Sequence, residues 1–169
     1  MVQPYIINSS ILPDLLLLKT LSHNQLFQHE KAKKTLQTLE QQTNNEALYK
    51  QIVNDLYINN KPKKFKDPDI AHKLAMFIPG SGHIYSGAIG EGIINFLLNA
   101  SALGFGAWHT YTGYYFTAYV VGVTSLERFY TGGKRRAENL AEWKNTENAN
   151  KLNLQILSYF ESEISKYQQ

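Results

Sequence analysis

Three histidines, His72, His83 and His109, with Asp69 and Glu91 for company, are the residues whose types suit a metal ion. Metal binding needs a spacing that turns several of them to one point, such as His-x-x-x-His on a helix, and no such spacing is present. His72 and His83 stand on opposite sides of Pro79, and His109 lies at the far end of an apolar run. Ser81, inside Gly-Ser-Gly, offers a hydroxyl nucleophile without the strand, turn and helix that would expose it. Gly80, Gly82 and Gly87 could turn backbone amides toward a phosphate, yet no Lys-Ser or Lys-Thr pair follows, as a phosphate-binding loop requires. No catalytic residue, metal ligand or cofactor is assigned, and the chain is expected not to be an enzyme.

Glu91 stands at the threshold of the longest uncharged stretch, because residues 92–126 contain no Asp, Glu, Lys or Arg. A carboxylate there sits beside the positive end of a helix, which stabilises it. It can alternatively pair with Arg128 or carry a proton. Capping or pairing is preferred, since ionisable groups are costly deep in lipid and tolerated at helix ends. The stretch divides into Ile93–Trp108 and Tyr111–Leu126, each near the lower limit of about 17 residues for a helix crossing a bilayer. Small residues recur within both runs: Ala100, Gly104 and Gly106 in the first, Ala118 and Gly122 in the second. Such spacing lets two helices approach closely in lipid, with Asn95, Asn99 and Thr117 bonding across the contact. Trp108, Tyr111, Tyr114 and Tyr115 cluster where an aromatic belt would lie. Ahead of the runs, Pro79 ends a helix near Ile78, and Pro79, Gly80, Gly82, Tyr85 and Gly87 form a membrane-entry turn with His83 and Tyr85 at headgroup depth.

The elements that hold this hairpin are polar. The chain has 169 residues, a formal charge of +3 and no cysteine, and a mean hydropathy of -0.34. That composition excludes disulfides, thiolate metal sites and a polytopic membrane protein, and does not mark a nucleic-acid binder. Lys61, Lys63, Lys64, Lys66 and Lys73 precede the runs, and Arg128, Lys134, Arg135 and Arg136 follow them, whereas the intervening loop has neither Lys nor Arg. Two crossings would put both basic flanks on one face, which the positive-inside bias makes cytoplasmic. A bacterial inner membrane fits that bias, and an export signal removed ahead of this chain would reverse it. Lys61, Lys63, Lys64 and Lys66 are placed to attract anionic headgroups, a solvated linker being the plainer reading.

Residues 1–10 read as an irregular lead-in. Helices are expected from Pro13 to Leu21, broken at Ser22-His23-Asn24, from Leu26 to Gln42, ended by Thr43-Asn44-Asn45, and from Glu46 to Tyr57. After Gly132-Gly133 a polar helix is expected to Trp143, then a separate amphipathic one over 149–167 whose stripe of Ile156, Phe160 and Ile164 would dock a partner. The domains so drawn are a helical region 1–60, a basic linker 61–73, a membrane hairpin 74–133 and a C-terminal helical region 134–169.

The segment Pro79-Gly80-Ser81-Gly82-His83-Ile84-Tyr85-Ser86-Gly87 resembles the Pro-Gly-x-Gly-x-x-Tyr-x-Gly turn of a family of small two-span bacterial membrane proteins. Gly90-Glu91-Gly92 with Ile93 to Asn99 resembles that family's first span, and Phe129 to Gly133 with Arg136-Ala137 its exit, over about residues 72–143. Leu26 to Leu36 resembles one degenerate tetratricopeptide hairpin, with Ala32 at the small packing position and Phe27 in place of the turn glycine. The resemblance implies topology and no reaction. The expectation is an all-α protein, a transmembrane helical hairpin flanked by short amphipathic helices. It would serve as a non-catalytic accessory or scaffold subunit, with membrane lipids and other membrane-protein subunits as partners and neither nucleic acid nor a small-molecule substrate. The alternative is a soluble all-α interaction domain that buries residues 74–130 as its core.

Overall fold

The computed structural model describes residues 12–42 and 46–167, without the side chains of residue 42 and residues 163–167. The lead-in, the Thr43-Asn44-Asn45 break and the side chain of Ile164 lie outside the described residues. The fold is all-α, with no strand among the described residues. The chain divides into two compact units, one built from its two ends, 1–64 with 146–169, and one from its middle, 65–145. The four expected domains are thereby redrawn: residues 61–73 are shared between the units, and 134–169 is cut after Asn145.

In the unit made of the chain's ends, α1 (Leu12–Gln25), α2 (His29–Gln42) and α3 (Glu46–Val53, prolonged by a π-helical stretch Asn54–Asn59) pack on the end of a long last helix. Ala32, Leu36, Leu39, Ile52 and Ile156 are fully buried at the centre, with Leu152 and Phe160 against them. α1 runs through the expected break at Ser22-His23-Asn24 because each polar residue finds a partner. Ser22 Oγ donates to the Leu18 carbonyl (2.9 Å), and Asn24 is buried in a tertiary network. Asn24 Oδ1 accepts from the Tyr57 hydroxyl (2.8 Å), and Asn24 Nδ2 donates to Asn153 Oδ1 (3.0 Å). Asn153 Nδ2 in turn donates to the Leu21 carbonyl (3.1 Å). Burial pushes the Tyr57 hydroxyl up to about 12. Between α1 and α2, Phe27 takes φ 56°, the left-handed conformation that a turn glycine would adopt more easily.

The middle unit begins where Asp67 caps α4 (Pro68–Phe77), its Oδ1 accepting from the amides of Asp69 (2.8 Å) and Ile70 (3.3 Å). Pro68 suits the first helical turn, where its missing amide hydrogen is not needed. A short α5 (Ser81–Ser86) follows, then α6 (Ile89–Tyr111), α7 (Tyr115–Thr117), a π-helical stretch Ala118–Val123, and α8 (Thr124–Tyr167), which continues into the other unit. The separate polar and amphipathic helices expected after Gly132-Gly133 are thus one helix. Gly133 does not end it, because the glycine serves packing: a Cβ there would lie 2.4 Å from Asn95 Nδ2 of α6.

No helix among the described residues is long and apolar enough to cross a membrane. α6 has 23 residues, but Asn95, Asn99, His109 and four glycines dilute its apolar content. The second run is divided between α7, the π-helical stretch and the start of α8, so the two expected spans are not two apolar helices of membrane length. Nor do residues 74–130 form a buried core. Phe77, Phe96, Leu97, Leu103, Trp108, Phe116 and Tyr119 are exposed, Phe116 by 81%. What the runs bury is small or amide-bearing: Asn99, Ala102, Ala118 and Gly122. Gly106 and Gly122 meet so closely that a Cβ on Gly122 would stand 2.7 Å from the Gly106 Cα.

Candidate functional site

The turn between α4 and α6 is assembled by backbone-on-backbone contact. Gly80 takes φ 91° and Gly87 φ 96°, both left-handed. A Cβ on Gly80 would fall 2.1 Å from the Gly92 carbonyl oxygen, and one on Gly82 would fall 2.0 Å from that of Ala71. Three of the four expected glycine and proline positions of the turn are therefore fixed by geometry, and Pro79 follows a helix that ends at Phe77. Tyr85 ties the turn to the start of α4: its hydroxyl oxygen accepts from the Asp67 amide (3.0 Å), and Lys66 Nζ lies 4.9 Å from the centre of its ring. Lys66 is anchored further through its backbone, which exchanges hydrogen bonds with the Asn145 side chain (2.8 and 2.7 Å). Lys61, Lys63 and Lys64 are exposed.

The turn delivers His83 and Glu91 to the face of α8. Glu91 pairs with Arg136, with Nε to Oε2 at 2.8 Å and Nη2 to Oε1 at 3.0 Å, and not with Arg128 as expected. Arg136 lies two helical turns beyond Arg128, and the fork of two parallel bonds suits a guanidinium and a carboxylate. Arg128 lines the same cavity without a salt bridge or hydrogen bond among the described residues. His83 is only 2% exposed, and its Nδ1 is buried with no hydrogen-bond partner. Burial lowers its pKa, with Glu91 pulling the other way and Arg136 adding to the fall.

These groups line an open cleft of about 300 Å³ together with Ile94, Leu98, Phe129, Gly132 and Gly133. Comparison with protein-family models, curated proteins and solved structures gives no match for the chain. The site therefore speaks through its own chemistry: two guanidiniums, one carboxylate and one buried neutral imidazole. No nucleophile joins them. The Ser81 hydroxyl donates to the carbonyls of Leu74 (2.6 Å) and Ile78 (2.7 Å), capping the end of α4. His72 is occupied with Glu138 (3.2 Å) and His109 with the Phe105 carbonyl (3.0 Å), and no group of three or more metal-ligating side chains exists among the described residues.

The expected docking stripe is corrected. Ile156 is fully buried and Phe160 packs edge-on to Tyr49 at 5.7 Å, so both belong to the chain's own core. The amphipathic face finds its partner in α1–α3. Asn95, expected to bond across the helix contact, donates to the Phe129 carbonyl (3.2 Å), whereas Arg136, read in the sequence only as part of the basic flank and exit, is the Glu91 partner that sequence reasoning missed. The signal for Arg136 was present in Arg128, Gly132 and Arg136, four residues apart on one helical stripe.

Proposed function

We propose that this protein is a non-catalytic, membrane-anchored accessory or scaffold subunit, with the α6 to α8 hairpin embedded in the bilayer. One observation carries the reading: apolar exposure is continuous along the hairpin. Ile93, Ile94, Phe96, Leu97, Leu103, Trp108, Phe116, Tyr119, Val121 and Val123 all face outward, while the contact between the helices is made by glycine, alanine and asparagine. A soluble protein arranges these classes the other way round, and an exposed apolar surface of this extent marks a membrane or protein interface. Small residues at the helix contact are what close packing in lipid favours. Tyr111 (85% exposed), Tyr114 and Tyr115 gather at the hairpin tip, as interface aromatics do.

In this reading the helical unit at the chain's ends is the part offered to other subunits. Its exposed Leu15, Leu18, Leu154 and Leu157 replace Ile156 and Phe160 as contact residues. Lys61, Lys63 and Lys64 are free to meet anionic headgroups, on the order of 1 kcal/mol each near the surface. Alkaline carbonate extraction of cell membranes tests the anchoring. The full chain is expected in the pellet, and its recovery in the supernatant as a monodisperse species without detergent would overturn the reading.

A further inference from the structure

We propose that the cavity between the start of α6 and the Arg128–Arg136 stretch of α8 is a binding site for a phosphate group. Glu91 neutralises Arg136 through both of its oxygens and leaves Arg128 as uncompensated charge in the cavity wall. A free guanidinium presents several donors in a planar fork that matches phosphate oxygens. The second pointer is His83, almost wholly buried and with Nδ1 unbonded, although buried polar groups nearly always have a partner. Between the two arginines the helix carries Gly132, where a Cβ would meet nothing within 4 Å. That glycine leaves open the floor on which a ligand would rest. The far wall is apolar, with Ile94 and Leu98 running on along exposed α6. A phosphate that carries an acyl chain satisfies both ends of the cavity, whereas inorganic phosphate satisfies one.

The lipid as source rests on the membrane reading above; the phosphate site itself does not. The test uses the full chain in a neutral detergent at constant ionic strength, titrated with short-chain phosphatidylglycerol, with diacylglycerol of the same chains, and with inorganic phosphate. Phosphatidylglycerol is expected to bind and diacylglycerol not, which assigns the site to a lipid phosphate. Saturable inorganic phosphate that competes with phosphatidylglycerol supports the site and names free phosphate as a source. Arg128→Gln is expected to weaken binding about tenfold or more, the scale of a lost charge-assisted hydrogen bond. Gly132→Leu fills the cavity floor, keeps both arginines and improves helix propensity, so it should abolish binding without lowering the melting temperature. Lys50→Gln, at an exposed lysine on α3, should change nothing. The proposal is overturned if neither phosphate ligand binds, or if binding survives both Arg128→Gln and Gly132→Leu. Either outcome is independent of carbonate extraction, so a protein that stays in the membrane pellet yet ignores phosphate loses this site and keeps its anchor.

Discussion

Asn24 shows how much one side chain organises. It is fully buried on α1 and bonded at once to Tyr57 and to Asn153, so it ties the last helix to the first and third at a fixed register. Asn24→Ala would leave the buried Tyr57 hydroxyl and the half-buried Asn153 amide oxygen without these partners, at about 1–3 kcal/mol by the usual cost of such groups. Urea titration followed by circular dichroism should register that loss, and an unchanged midpoint would mean that water replaces the amide. His83 makes a prediction of opposite character, in pH. Its folded pKa lies below the ordinary 6.5 because of burial. The unfolded chain therefore takes up the proton first, and the middle unit should lose stability as pH falls below about 6.5 until the folded value is passed. Both tryptophans, Trp108 and Trp143, lie in residues 65–145, so their fluorescence follows this unit alone. His83→Asn should flatten the acid slope. The exposed Glu91–Arg136 pair contributes little by comparison, ~1 kcal/mol or less.

At the scale of elements, the contact of α6 with the π-helical stretch depends on Gly106 and Gly122. Gly122→Leu forces side-chain atoms against the Gly106 backbone and should destabilise the hairpin by about 1–3 kcal/mol, as overpacking does. Gly104→Leu enters open space and should be neutral or mildly stabilising. Thermal unfolding in detergent, read at Trp108, separates the two, and equal melting temperatures would refute a packed hairpin. The small-residue pattern that produces this contact was legible in the sequence, as were the helix end before Pro79, the need for glycine in the turn at Gly80 and Gly87, and the close packing at Ala32. What was not legible had physical causes. Gly132-Gly133 reads as a terminator by propensity alone, and only the approach of Asn95 reveals why a glycine sits mid-helix. Ser22-His23-Asn24 reads as a break because its compensating bonds reach residues as distant as Asn153. Glu91 was recognised as a group needing a partner, but choosing Arg136 over Arg128 requires knowing how the Gly80–Gly92 contact aims α6 at α8.

At the scale of the whole molecule, the hairpin returns the chain to the unit from which it left. Cysteines placed at exposed Lys64 and Gln155 should therefore label from the same side of a membrane, with Thr110→Cys reached from the other. Opposite behaviour of positions 64 and 155 eliminates the hairpin. Phe160→Asp puts a carboxylate against the Leu36, Ile52 and Ile156 core and is expected to unfold the unit of the chain's ends, leaving the tryptophan signal of the middle unit intact. A variant that stays folded and merely loses a binding partner would return Phe160 to the surface. The nesting of one unit inside the other also sets an order in time. Residues 12–64 leave the ribosome ahead of residues 65–167, yet their core is incomplete without Leu152 and Ile156, which are made nearly a hundred residues later. At about 5–20 residues per second the wait lasts several seconds or more, with apolar faces of three helices uncovered. The middle unit, contiguous in sequence, can finish during that interval, so the hairpin is in place before α1–α3 receive Leu152 and Ile156, and anything that guards the nascent chain from aggregation in that interval acts on the uncovered faces of these three helices.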